Sequence, residues 1–426
     1  MRVFAVPIGL LLLEATLSAQ PVMRLTLAEA QRQALQNNPQ YSSAKFIAAA
    51  AYQVPNQYKA AYQPNMFGSF TGVGADSGSR LAAGALNNPV VYDRLGSGLS
   101  MSQMITDFGR TSNLVATAKL RAQSQDQATE TTRAQILLVT GRAYFNLLRA
   151  NAVLKVANET VNARQLVVDQ ISALAESKMR STLDVTFARY NLSDAKLLAV
   201  QAQNDVKAAE AELATAMGLP GETSFELQEE ALPAPLPDKV NDLLREALQD
   251  RPEVKDLRLQ QSADERFIRA EHALYFPSIG MVGTAGIVPS GEAVIPGRYG
   301  AVGMNITIPI FNGGLFRARQ TEAELRAKAA AQNVSDLENR VVRDVREAYL
   351  NANTAADRMT LTLELLNQAE QSLDLAKTRF DAGLGTIVEL SQAQLNLTTA
   401  QIANASAKYD YQAQRVALDY QTGALR

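Results

Sequence analysis

Few side chains in this sequence are equipped for covalent or metal chemistry. Among 426 residues there is one His, His272, and there is no Cys and no Trp. Without Cys there are no thiolate nucleophiles, no disulfide framework and no zinc site built on thiolates. One imidazole leaves little scope for a multi-His metal site or for His-based acid–base catalysis. The motifs GxxxxGKS/T, GxGxxG and GxSxG are all missing, so no phosphate-cradling loop and no nucleophile elbow is expected. His272, next to Glu271 and close to Tyr275, sits at a helix end just ahead of a strand-like segment, where an interfacial role is the ordinary one. The 41 Lys+Arg and 43 Asp+Glu give a formal charge of −2, which is no footprint for nucleic acid. The residues point to no enzyme, no metal and no cofactor. The information lies in the elements.

Apolar residues make up 47% of the chain while aromatics make up only 6%. Ala, Leu and Val fill the difference, which suits long helices packed through small side chains. At the N-terminus, Arg2 precedes an apolar run from Val3 to Leu13, followed by the small residues Ser18 and Ala19. This order is that of an export signal over 1–19, cut after Ala19. The run is too short to span a bilayer as a helix, and no later tract reaches the necessary length. No Cys stands at the expected mature start to carry a lipid anchor.

The remainder is written twice. Ala34-Leu35 and Pro39 match Ala247-Leu248 and Pro252 at an offset of 213, which Pro64 and Pro277 keep. From Ile105 and Ile310 onward the offset is 205, held by Ala143-Tyr144 against Ala348-Tyr349 and by Gly218 against Gly423. A length change confined to one segment marks a variable loop between rigid elements. The expected organisation is therefore a first repeat over 20–217, a Pro-rich connector over 218–240 and a second repeat over 241–426. Each repeat begins with a helical tract (Thr26 to Ala61; Asn241 to Tyr275). Two strands follow (within 65–105 and 278–309), then a very long helix (110–177; 315–381) and a shorter one (184–217; 389–422).

Apolar residues recur along the second long helix at alternating steps of four and three, from Val341 through Ala348, Ala355 and Leu366 to Phe380. The first long helix repeats the seam from Ile136 to Ala175, with Thr140 and Arg164 as exceptions. A 3.5-residue period over five heptads predicts a left-handed coiled coil. About 67 residues at about 1.5 Å each exceed the core of any globular domain of this size. The two shorter tracts of each half, stacked end to end, match one long helix in length.

The Gly-rich segments alternate with period two. Val302, Met304, Ile306 and Ile308 are separated by Gly303, Asn305 and Thr307, and Ile279, Met281 and Ile287 interleave with Ser278, Gly280 and Thr284. One apolar and one small or polar face is the pattern of a transmembrane β-barrel strand, although a small soluble sheet capping the helices shares it. A barrel closes with about eight strands or more, so four per chain require several copies. Two copies would suffice in principle. Orientation of polar residues separates a duct, which lines its interior with them, from a solid structural coiled-coil protein of the envelope.

The duplicated half, the junctions Thr106-Asp107-Phe108-Gly109-Arg110 and Ile310-Phe311-Asn312-Gly313-Gly314, and the turn from Arg379 to Leu390 together resemble the TolC-like outer-membrane efflux proteins. The likeness runs from about Leu25 to the C-terminus. It implies a mainly α protein with a small transmembrane β part, a homotrimer whose long coiled-coil helices form an α-barrel. Four strands per chain enter a shared 12-stranded β-barrel in outer-membrane lipid, with a long periplasmic portion. Such proteins are passive exit ducts in tripartite efflux systems, served by a periplasmic adaptor and an inner-membrane pump of the RND or ABC class. Type I protein secretion uses the same duct. Carried over by position, the adaptor-docking tip is Lys178, Met179, Arg180, Ser181 and Thr182 with Gly383, Leu384, Gly385 and Thr386. The pore constriction falls on Glu389, Gln392, Phe380 and Asp184, where three copies of an acid would attract cations. The barrel-to-helix junctions are Asp107 and Gly109 with Asn312, Gly313 and Gly314. Gly385 stands where relatives can carry a basic residue that latches the closed tip, so such a latch is absent here or made by others such as Arg379.

Overall fold

The computed structural model describes residues 23–76, 78–79, 91–220, 224–237, 239–291 and 296–425. The expected export signal at 1–19 lies outside them, as do parts of the expected connector. The helices are α1 (Leu27–Asn37), α2 (Pro39–Ala51), α3 (Val54–Lys59), α4 (Arg110–Glu176), α5 (Thr182–Ala216), α6 (Val240–Asp250), α7 (Pro252–His272), α8 (Leu315–Asp381) and α9 (Ile387–Thr422). The strands are β1 (Met23–Leu25), β2 (Asn65–Val73), β3 (Arg94–Thr106), β4 (Phe225–Leu227), β5 (Ser278–Gly291) and β6 (Arg298–Thr307). The chain forms two compact units, each with segments from both sequence halves. The first unit comprises 1–38, 136–235 and 352–416, and the second 39–135, 236–351 and 417–426.

The two expected tracts of about 35 residues are not continuous. The first breaks at Asn38 and again before α3, and the second breaks at Arg251. The cause is the following proline. Pro39 and Pro252 open the next helix, and a proline pushes the residue before it out of the helical region. Asn38 and Arg251 accordingly take extended ψ values of 121° and 126°.

In the first unit, the seam of α4 is buried from Ile136 through Ala143, Leu147 and Ala157 to Ile171, and both polar exceptions go inside with it. Ala157 packs on Ala199 and Ala202 of α5, small against small, which brings the axes close. β1 and β4 make a three-residue parallel ladder between segments some two hundred residues apart in sequence. Tyr144 of α4 closes it, its single hydroxyl proton facing the carbonyls of Gln228 (2.6 Å) and Leu25 (3.1 Å), the shorter contact being the main bond. Burial pushes the Tyr144 phenol up to about 12, so the hydroxyl stays protonated and donating. Tyr144→Phe leaves the Gln228 carbonyl without this donor, while the Leu25 carbonyl keeps the Gln228 amide at 2.9 Å, and should cost about 1–3 kcal/mol. A lowered denaturation midpoint in detergent, followed by helical circular dichroism, is the expected reading. An unchanged midpoint would show that the hydroxyl contributes nothing. The connector then lies along α9, where Gln412 donates to the Glu230 carbonyl at 3.1 Å and Arg415 to that of Ala234. Lys408 and Tyr409 hold the Glu229 carboxylate, whose pKa the Lys408 contact first and the Tyr409 hydroxyl second draw below the usual range.

In the second unit, Leu244 and Ala247 of α6 and Val254 of α7 pack on Val341 and Val345 of α8. Arg251, 6% exposed, fills the α6–α7 break and donates to Glu253 and Gln421, both at 3.0 Å. The four long strands form one antiparallel sheet in the order β2-β3-β5-β6. None of the described helices is long and apolar enough to cross a membrane.

Candidate functional site

Two places gather the expected residues, and each is built by local rules. The first is the pair of helix reversals in the first unit. α4 ends when Lys178 adopts φ +59°, with the Met179 amide donating to Leu174 at 2.9 Å. α8 ends when Gly383 adopts φ +74°, with the Leu384 amide donating to Arg379 at 2.8 Å. These are the same left-handed helix stop, one repeat apart. Glycine adopts it freely, whereas Lys178 accepts a Cβ penalty. Sequence difference between the turns therefore does not become a difference in backbone path.

The helices restart alike. Ser181 accepts from the Asp184 amide at 3.2 Å while the Asp184 carboxylate accepts from the Ser181 amide at 3.1 Å. Thr386 and Glu389 repeat the exchange at 3.2 and 3.4 Å. Both acids thus complete capping boxes at helix N-termini, where the macrodipole also favours them. Glu389 is exposed, as is Gln392, which donates to Asn396 at 2.9 Å. Phe380 differs from the expectation for a constriction residue. It is 6% exposed, locked with Val168, Ile171, Leu192, Ile387 and Leu390 in the apolar cluster that joins the two reversals. The Arg180 guanidinium covers its ring at 4.4 Å. A side chain at Gly385 would be crowded, since a Cβ there would stand 3.1 Å from the Phe380 nitrogen and the backbone would have to give slightly. The tip exposes four large apolar side chains, Met179 and Leu183 from one reversal and Leu384 and Val388 from the other, beside the polar Lys178, Thr182, Asp381 and Thr386.

One structural tie went unread in the sequence. Arg164, an interruption of the α4 seam, is 7% exposed and donates to the Gln394 side chain and, at 3.4 Å, to the Ser391 carbonyl of α9. Desolvation lowers its pKa, opposed by Asp194. Asn191 adds a bond to the Ser391 hydroxyl at 3.1 Å, and Thr160 meets Thr398 at 3.2 Å. These contacts tie both helices of the first reversal to α9 just beyond the tip. A charged residue on an otherwise apolar seam is the signal that marks such a tie.

The second place is the sheet of the second unit. Register sorts its residues onto two faces. One carries Met66, Phe70, Leu99, Met281, Ile287, Val302, Met304 and Ile306. The other carries Asn65, Ser69, Ser100, Ser102, Ser278, Thr284, Asn305 and Thr307 with several glycines, and among them the larger Phe67, Val282 and Tyr299. The apolar face is uncovered, with Phe70 76%, Val302 82% and Met304 71% exposed. The sheet joins its helices through short caps. Asp107 accepts from the amides of Thr111 (2.7 Å) and Gly109 (3.2 Å) to start α4. Before α8, the Leu315 amide bonds the Asn312 carbonyl at 3.2 Å across Gly313 and Gly314, both at positive φ.

A mainly helical chain with this two-faced sheet defines a class. The outer membrane efflux protein model matches residues 30–219 and 243–424, and the chain belongs to that family. Outer membrane protein TolC of Escherichia coli is 25% identical over 402 residues, 90% of this chain and 79% of that protein. Alkaline protease secretion protein AprF of Pseudomonas aeruginosa is 24% identical over 419 residues, 94% and 85% of the two chains. The Campylobacter jejuni CmeC outer membrane channel shares the fold with a TM-score of 0.76 at 19% identity, covering 93% of this chain and 85% of that one. The outer membrane protein VceC of Vibrio cholerae does so with a TM-score of 0.75 at 18% identity, covering 93% and 96%.

Proposed function

We propose that this chain is one third of an outer-membrane duct, a passive exit in a tripartite efflux system that moves small molecules to the exterior. The observation that carries it is the sheet. Its apolar face suits lipid, its face rich in Ser, Thr, Asn and Gly suits a wet bore, and β2 and β6 are edge strands, each paired on one side only among the described residues. Open edges are intolerable in hydrocarbon. With strand direction alternating through the order β2-β3-β5-β6, β6 of one copy runs antiparallel to β2 of the next, so copies join in an unbroken antiparallel ladder. Three copies make twelve strands. The same assembly sets three Glu389 carboxylates around one axis as a cation-attracting constriction, with Gln392 one turn on. Asp184 caps its own helix beside it. The exposed Met179, Leu183, Leu384 and Val388 give a periplasmic adaptor an apolar docking crown, and an inner-membrane pump supplies the energy.

The chain's lack of Cys makes the test clean. One cysteine in β2 and one in β6 of the same chain, placed on facing positions, should yield disulfide-linked species that stop at three copies. A ladder ending at two copies, or monomer alone, contradicts the trimer. The duct itself is tested in planar bilayers, where the reconstituted protein should pass ions and Glu389→Ala should lower its cation preference. A protein that passes no ions even with Glu389→Ala is a structural rod.

A further inference from the structure

On the polar face of the sheet, register aligns one residue from each strand in a single row: Ser69, Gly98, Gly286 and Tyr299. Tyr299 is the only one with a large side chain, and it does not stand away from the sheet. A Cβ built on Gly286 would lie 2.5 Å from both Cζ and the hydroxyl oxygen of Tyr299. A Cβ on Gly98, two strands away, would run into the same hydroxyl and lie 3.2 Å from Cζ. The ring therefore lies flat across two strands, in a tray that exists because neither glycine has a side chain. Aromatic cover of strand glycines is a recognised device of β-sheets. Here it has a further consequence, because this face is the one turned to the bore.

We infer that Tyr299 sets the width of the duct's exit. Its ring is stowed against the wall by Gly98 and Gly286, at the end of the sheet remote from the helices, and admits bulky solutes only while stowed. This rests on the duct reading, since an aromatic ring on a sheet that encloses nothing has no exit to set. Filling the tray would force three rings, one per copy, out of the wall and into the passage. Lying flat also turns the π-face of each ring toward the passage, a surface on which cationic or aromatic solutes stack.

The test uses Thr307→Cys, a lone thiol on the same face at the helix-proximal end of β6, deeper than Tyr299 from outside. Intact cells are treated with maleimides of graded size, and the largest reagent that labels the thiol is recorded. Gly98→Ala should lower that size limit, and Gly98→Ala with Tyr299→Ala should restore it. An unchanged limit in Gly98→Ala overturns the inference and leaves the duct untouched. Failure of even the smallest reagent to label Thr307→Cys overturns the bore-facing assignment, and the duct with it. Should Gly98→Ala fail to assemble, assembly regained with Tyr299→Ala identifies the ring as the obstruction and supports the inference. Continued failure assigns the crowding to the Ala285 carbonyl, 3.1 Å from the new Cβ, and overturns it.

Discussion

Val302→Arg should abolish assembly in the outer membrane, while Asn305→Arg, three residues along the same strand, should leave it intact. Val302 is 82% exposed near the middle of β6, on the face it shares with Met304 and Ile306. If that face meets lipid, an arginine at mid-depth costs about 2–4 kcal/mol in each copy. In the proposed trimer this becomes roughly 6–12 kcal/mol per assembly, comparable to the whole stability of a folded domain. Asn305 pairs with Gly280 on the opposite face, where a charge would sit in water and alter ion preference instead. Membrane fractionation and a heat-modifiable oligomer band on a gel read the outcome. Equal tolerance of both substitutions would show that neither face meets hydrocarbon, and the barrel would fall with that result.

Such a contrast could be set out from sequence because a strand has a period of two, and β6 keeps it from Val302 to Thr307, whereas in β5 Val282 interrupts the polar face and the pairing with β3 shifts register beyond Ile287. The long helices were legible for a related reason. α8 spans Leu315–Asp381, the expected 315–381, since no proline interrupts it and Gly383 stands ready at its end. Physics that depends on a partner elsewhere in the chain was less visible. The β1–β4 ladder has three residues a side and no periodicity to detect. Pro39 and Pro252 served as markers of the repeat, yet their effect on the preceding residue, which breaks both tracts, is as local as any rule used. At the tip, position alone identified Asp184 and Glu389 as acids at helix starts. The assignment of Phe380 to the constriction came from analogy, and the seam already ran through that residue. A seam residue is a core residue, and Phe380 is one. Arg164 shows the converse, since a seam position that is charged must bring its own hydrogen-bond partners inside.

Arg319→Ala should be among the most damaging single changes in the helical part, because of what it leaves behind. Glu271, at the end of α7, is 1% exposed and takes both oxygens to Arg319 of α8, at 2.7 and 3.1 Å. A bidentate guanidinium–carboxylate pair is the geometry in which burying a carboxylate is tolerated. Removing the cation strands a buried anion, but the Arg319 side chain is itself 43% exposed, so water partly replaces it and the cost falls below that of a fully buried pair, at about 1–3 kcal/mol. Deleting both charges is a different perturbation. Glu271→Leu with Arg319→Met fills the same volume with apolar atoms, and such replacements are often neutral or even stabilising by about 1–4 kcal/mol. The expected order of denaturation midpoints is therefore wild type and double variant together, with Arg319→Ala well below both. If the double variant is no better than Arg319→Ala, the pair acts through specific directionality rather than charge compensation. If Arg319→Ala matches wild type, water already reaches Glu271 and the carboxylate was never desolvated. Because the pair joins α7 to α8 one helical turn from the start of α8, its loss should also loosen the segment that delivers β5. Faster amide exchange in the residues following His272 would register that loosening, and a substitution that lowered the midpoint without it would confine the damage to the helices.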